Sequence, residues 1–71
     1  MTLGNRVKNR REEMNLTQVE LAKKTELSQG YISQLETNGF DPTAPVIIKL
    51  AVALEISADE LLGINDVKKV G

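Results

Sequence analysis

Residues 17–36 read TQVELAKKTELSQGYISQLE, and the order of residue types in this stretch decides the architecture. Thr17 stands before a run containing Val19, Leu21 and Ala22, and Glu20 follows it by three residues. This is the signature of a helix start, in which a hydroxyl and a carboxylate each take one free backbone N–H. Leu16 and Leu21 are placed to staple that start together. The run closes near Lys24 and Thr25. Ser28 caps another helix, which reaches about Thr37 and stops at Asn38-Gly39, a pair suited to a C-terminal cap. The stretch is therefore two short helices joined by a tight turn.

Working outward, three more helices are expected and no strand. Leu3, Val7, Arg11 and Met14 share one face of a helix over residues 3–14, which Asn15-Leu16 ends. Phe40-Asp41-Pro42 is a turn. Thr43 caps a fourth helix with Pro45 in its first turn, where a missing N–H costs little, and the helix continues through Leu54. Ser57 caps a last helix, Ala58 to Leu62, with Asp59 and Glu60 where the helix dipole favours acids. The fold class is all-α, with one domain over residues 1–64 and a frayed tail over 65–71.

Composition narrows the function. The chain has 71 residues, no cysteine and no histidine, which excludes disulfides, zinc fingers, thiol chemistry and imidazole acid–base catalysis. No enzyme is expected, and no cofactor or metal is implied. No apolar run approaches the roughly 18 residues of a membrane span, so the expected location is the cytoplasm, at the nucleoid if the partner is DNA. The formal net charge of −1 argues mildly against a nucleic-acid partner. Its distribution does not. Residues 1–24 carry six cations against three acids, a net of +3, and residues 25–71 carry three lysines against seven acids, a net of −4.

Leu21, Leu27, Ile32 and Leu35 fall where two steeply crossing helices would bury them, and small Ala22 allows close approach. That is a helix-turn-helix, whose second helix projects far enough to fit a DNA major groove. LTQVELAKKTELSQGYISQLE resembles the Cro and phage-repressor type (XRE-like) helix-turn-helix family. GNRVKNRREEMNLTQ is similar to that family's first helix and lead into the second, and PTAPVIIKLAVALEISADELL to its fourth and fifth helices. The resemblance covers about residues 3–62. It departs at Glu26, where the family often has a left-handed glycine, and at Asn38, where it often has glycine two residues beyond the glutamate.

The candidate site follows from the faces of the third helix. Ile32 and Leu35 face inward, so Gln29, Gly30, Ser33 and Gln34 share the outward side. Glutamine can bond adenine bidentately and can reach guanine edges or phosphates. Alone, such a face is more often simply solvated; on the second helix of this motif, base contact is expected. Gly30 weakens a helix by about 1 kcal/mol relative to alanine, so it is a poor choice for stability alone.

Gln18, first in its helix, lies where free N–H groups hold phosphate. The resemblance implies that it bonds a phosphate or braces a side chain of the third helix. Thr17 is a phosphate contact or only a cap. Tyr31 is a phosphate contact through its hydroxyl or a partial core residue. Arg10 is a further candidate for phosphate, with Arg6 and Lys8 nearby, although a solvated helix face is the commoner fate of such charges. Thr37, Asn38 and Thr43 would lie beside the DNA backbone if the resemblance holds. Arg11 sits on an apolar stripe, where an unpaired charge is costly. The resemblance pairs it with Glu36 in a structural ion pair, against the alternative of a phosphate contact. Leu61, Leu62 and Ile64 either cap the core or form a two-fold dimer contact.

These readings converge on an expectation: a sequence-specific, double-stranded DNA-binding transcriptional regulator, a repressor in its simplest form. It would bind a pseudo-palindromic operator as a homodimer. The rivals are an antitoxin or restriction-modification controller, a protein-interaction adaptor without DNA binding, and the DNA-binding half of a longer repressor. A protein partner, a toxin or polymerase, is not identified by these residues.

Overall fold

The computed structural model of the chain describes residues 2–63. Ile64 and the tail over 65–71 lie outside the described residues. Five helices make up the fold: α1 (Leu3–Glu13), α2 (Gln18–Thr25), α3 (Gln29–Asn38), α4 (Ala44–Ala53) and α5 (Ala58–Leu62), with no strand among the described residues. None of the five is long and apolar enough to cross a membrane.

The starts of four of these helices are fixed by hydroxyls. Thr2, Thr17, Ser28 and Ser57 have extended backbone, and their side chains accept from the N–H of Asn5, Glu20, Tyr31 and Glu60. At Thr17 the box is complete, because Glu20 Oε1 accepts from the Thr17 N–H at 2.8 Å. Thr43 differs from expectation. It holds the N-cap position of α4, yet its side chain accepts no cap hydrogen bond. Pro45 is the second residue of that helix and has no N–H to offer, so the cap has one donor fewer to satisfy.

All five helix ends lead into a left-handed residue: Asn15, Glu26, Gly39, Glu55 and Gly63. The expected departure at Glu26 is real, with φ at 61°, and such a backbone costs a non-glycine residue about 1 kcal/mol. At the three non-glycine ends the following N–H reaches back over the turn. Leu16 donates to the Arg11 carbonyl (3.0 Å), Leu27 to Ala22 (3.1 Å) and Ile56 to Ala51 (3.1 Å). This is the Schellman arrangement, and each residue that closes it is apolar and half-buried.

The core joins Val7 of α1, Leu21 and Ala22 of α2, Ile32 and Leu35 of α3, Leu50 and Ala51 of α4, Leu54, and Leu61 of α5. Leu61 is fully buried, so it takes the core alternative and is not available for a contact between copies; Leu62 is 40% exposed. The backbones of α1 and α3 approach closely at Gly4. A Cβ added there would be 3.1 Å from the Leu35 carbonyl carbon, 3.3 Å from Glu36 Cα, and nearer still to the Leu35 carbonyl oxygen. Thr25 is buried as well, with its hydroxyl donating to the Leu21 carbonyl at 2.8 Å, the local bond that lets threonine sit inside a helix. No buried side-chain nitrogen or oxygen among the described residues lacks a partner.

Candidate nucleic-acid interface

Ser28 starts α3 and Gly39 ends it, which makes a ten-residue helix that buries only Ile32, Leu35 and Glu36. Three inward residues on a short helix leave the rest outside. Gln29, Gly30 and Gln34 are exposed and Ser33 is half-buried, so the four expected base-contact residues share the outer side. A Cβ on Gly30 would meet nothing within 4 Å. Packing therefore does not require glycine at this position.

Arg11 and Glu36 form a bidentate ion pair between α1 and α3. Arg11 Nε donates to Glu36 Oε2 at 2.8 Å, Nη2 donates to Oε1 at 3.0 Å, and Nη1 donates to the Leu16 carbonyl at 2.8 Å. Both side chains are almost fully buried. The hydrogen bond to Glu36 raises the Arg11 pKa against the opposing effect of burial. Since arginine is protonated in any case, the guanidinium is charged with or without this shift. A charge pair this enclosed contributes little beyond apolar packing while intact, but it is costly to break on one side.

Gln18 sits at the N-terminus of α2 beside this pair. Its Nε2 donates to Glu36 Oε1 at 3.1 Å, and its Oε1 accepts from Gln29 Nε2 at 2.9 Å. It therefore touches a side chain of the third helix, as the resemblance implied. Its link to Glu36 was not foreseen, because it depends on side-chain rotamers that residue spacing does not encode.

The other candidates spread over two surfaces. Thr17, Thr37, Asn38 and Thr43 are all exposed. Asn38 Nδ2 donates to Gln34 Oε1 along α3, a second unforeseen contact. Tyr31 is half-buried, and its ring meets Phe40 edge-to-face with centroids 5.2 Å apart, which holds the loop after α3 against the helix. Arg10 points elsewhere. Its Nε donates to the Leu54 carbonyl at 2.8 Å and its Nη1 pairs with Glu13 at 3.3 Å. The guanidinium thus satisfies a free carbonyl at the end of α4 and suits the negative end of that helix dipole.

Comparison with known proteins places this geometry. The family described as Helix-turn-helix matches residues 7–61. The chain is 38% identical over 63 residues to the immunity repressor protein of Bacillus phage phi105, covering 89% of this chain and 44% of that one. It is 35% identical over 69 residues to the HTH-type transcriptional regulator ImmR of Bacillus subtilis (strain 168), covering 97% and 54%. The chain thus spans about half the length of the curated relatives it matches. Among solved structures it is similar to the P22 c2 repressor in complex with a synthetic operator, with a TM-score of 0.81 and 32% identity over 87% of this chain and 94% of that one. Sequence, helix order and structural likeness agree, and the chain belongs to the XRE-type helix-turn-helix family, with α2 and α3 as its motif.

Proposed function

We propose that this chain binds double-stranded DNA sequence-specifically and represses transcription, with α3 lying in the major groove. The observation that carries this reading is the outer side of α3: Gln29, Gly30, Ser33 and Gln34 stand clear of the core, with a glycine that packing does not require. Amides at base edges discriminate sequence without net charge. The P22 c2 repressor, similar over nearly its whole chain, is held on a synthetic operator in its structure. Thr17, Gln18, Tyr31, Thr37, Asn38, Thr43 and the free N–H groups of α2 and α4 are proposed to hold phosphates. Arg10 is left out of this set because its guanidinium is engaged at Leu54 and Glu13. With few cations at the surface, the salt dependence of binding should be shallow.

The finer reading is a homodimer on a pseudo-palindromic operator, with the two copies of α3 about one DNA turn, roughly 34 Å, apart. Exposed Leu62 is the described residue proposed to take part in that contact. The work of such a protein is in the cytoplasm, at the nucleoid. A protein-docking adaptor, which the net charge of −1 favours, would have no need of an amide face on α3.

Selection of bound sites from a random duplex pool tests the proposal, and a two-fold-symmetric consensus is the expected result. No enrichment above background at low salt would refute it. Gln29→Ala should then cost about 1–3 kcal/mol at one or two base pairs per half-site. Equal weakening on every sequence would instead assign Gln29 to phosphate.

A further inference from the structure

The glycine that ends α3 comes one residue later than in the family pattern, where it often stands two residues beyond the glutamate. Here Asn38 holds that position. Gly39 follows it, takes the left-handed backbone with φ at 67°, and returns its N–H to the Leu35 carbonyl at 3.1 Å. The helix therefore runs through Asn38. An amide side chain stands where glycine would offer none, four residues after Gln34 and so one turn further along the same face.

Gln34 and Asn38 are both exposed, and Asn38 Nδ2 donates to Gln34 Oε1. The two glutamines of the outer side are thus held from different directions. Gln29 is held by Gln18 across from α2, and Gln34 by the last residue of its own helix. An exposed glutamine otherwise keeps rotamer freedom that a base contact must remove at a cost. Its amide can also turn over, because the oxygen and amino ends have nearly the same shape. An amino group donates and does not accept, so Asn38 Nδ2 takes the oxygen of Gln34 and leaves the Gln34 amino group as the free end. Its N–H donors match O6 and N7 of guanine, whereas adenine needs an acceptor beside a donor.

We propose that Asn38 is a positioning residue for base reading: by holding the Gln34 oxygen it turns the Gln34 amino group outward and makes Gln34 select guanine. The inference rests on α3 being the base-reading helix. Asn38 keeps a second N–H and its own oxygen, so the phosphate contact proposed above is compatible with this role.

The test uses the full chain on the duplex enriched from the random pool, with each base placed in turn at the position whose preference is lost in Gln34→Ala. If Gln34→Ala alters no base preference, the base-contact reading of Gln34 fails and the inference falls with it. A preferred base other than guanine at that position overturns the inference and leaves base contact standing. Asn38→Ala should lower the guanine preference there about fivefold, with preferences elsewhere kept. Combined with Gln34→Ala, it should lower that preference no further than Gln34→Ala alone. Uniform weakening with guanine still preferred assigns Asn38 to phosphate alone and overturns the inference. Asn38→Asp keeps the shape but can only accept. Gln34 should then turn its amino group inward, and the preference should move from guanine towards adenine, on top of a general weakening from the added charge. A guanine preference kept in Asn38→Asp overturns the inference too. Each readout is a ratio of affinities within one variant, which a loss of folded protein does not move.

Discussion

On the side of α3 that meets α1 there is no room for a methyl group at Gly4, whereas on the outer side a methyl group at Gly30 would touch nothing. One glycine is needed because two backbones approach closely. The other has no packing reason and weakens the helix that carries it. The same helix is thus closed by fit on one side and left open at a cost in stability on the other. A surface kept open against stability is where function is to be sought.

The comparison can be broken most severely at the closed side. Arg11→Met leaves Glu36 buried without its main partner and should lower stability by about 3–5 kcal/mol, read from the urea midpoint at unchanged slope. A loss below about 1 kcal/mol would show that Gln18 and the remaining contacts suffice to hold the carboxylate. Gly4→Ala should cost about 1–3 kcal/mol, since α1 and α3 must separate to admit the methyl group. At the open side the sign reverses. Gly30→Ala should raise stability by up to about 1 kcal/mol while lowering affinity for the selected duplex; a gain in both would remove the argument for clearance at this position. Glu26→Gly, in the turn between α2 and α3, should gain about 1 kcal/mol or less by relieving a left-handed glutamate, with DNA preference unchanged.

Much of this was legible in the sequence, because caps and breakers act locally. Thr17 with Glu20, Ser28, Ser57 and Asn38-Gly39 bound their helices from residue type alone, and the helix ends differ from expectation by at most one residue. Glu26 stood out once a glycine was expected there, and it does adopt the left-handed backbone. Local chemistry was less informative where two segments meet. Gly4 looks like a poor helix residue until Leu35 is placed against it. Arg10 and Arg11 are neighbours of the same type, yet one grips Glu36 and the other the end of α4. Their difference is the roughly 100° turn between successive helical residues, combined with a tertiary arrangement that spacing alone does not give. Residue type leaves Leu61 open between core and dimer contact, and burial decides for the core. The Gln34–Asn38 and Gln18–Glu36 bonds depend on rotamers and lay beyond sequence reading.

The left-handed helix ends have one more consequence. The segments joining the five helices are only three to five residues long, and four of the five ends are followed by another described helix across such a joint. A corner locked by a back-reaching N–H has little slack through which to swing. The N-terminus of α2 and the outer side of α3 therefore hold their relative position before any ligand arrives. Association with DNA would proceed as the docking of a rigid body, with no segment of these helices having to fold at the moment of binding. The entropy lost on binding would then be that of two bodies becoming one, and of surface side chains coming to rest, rather than of a chain being ordered.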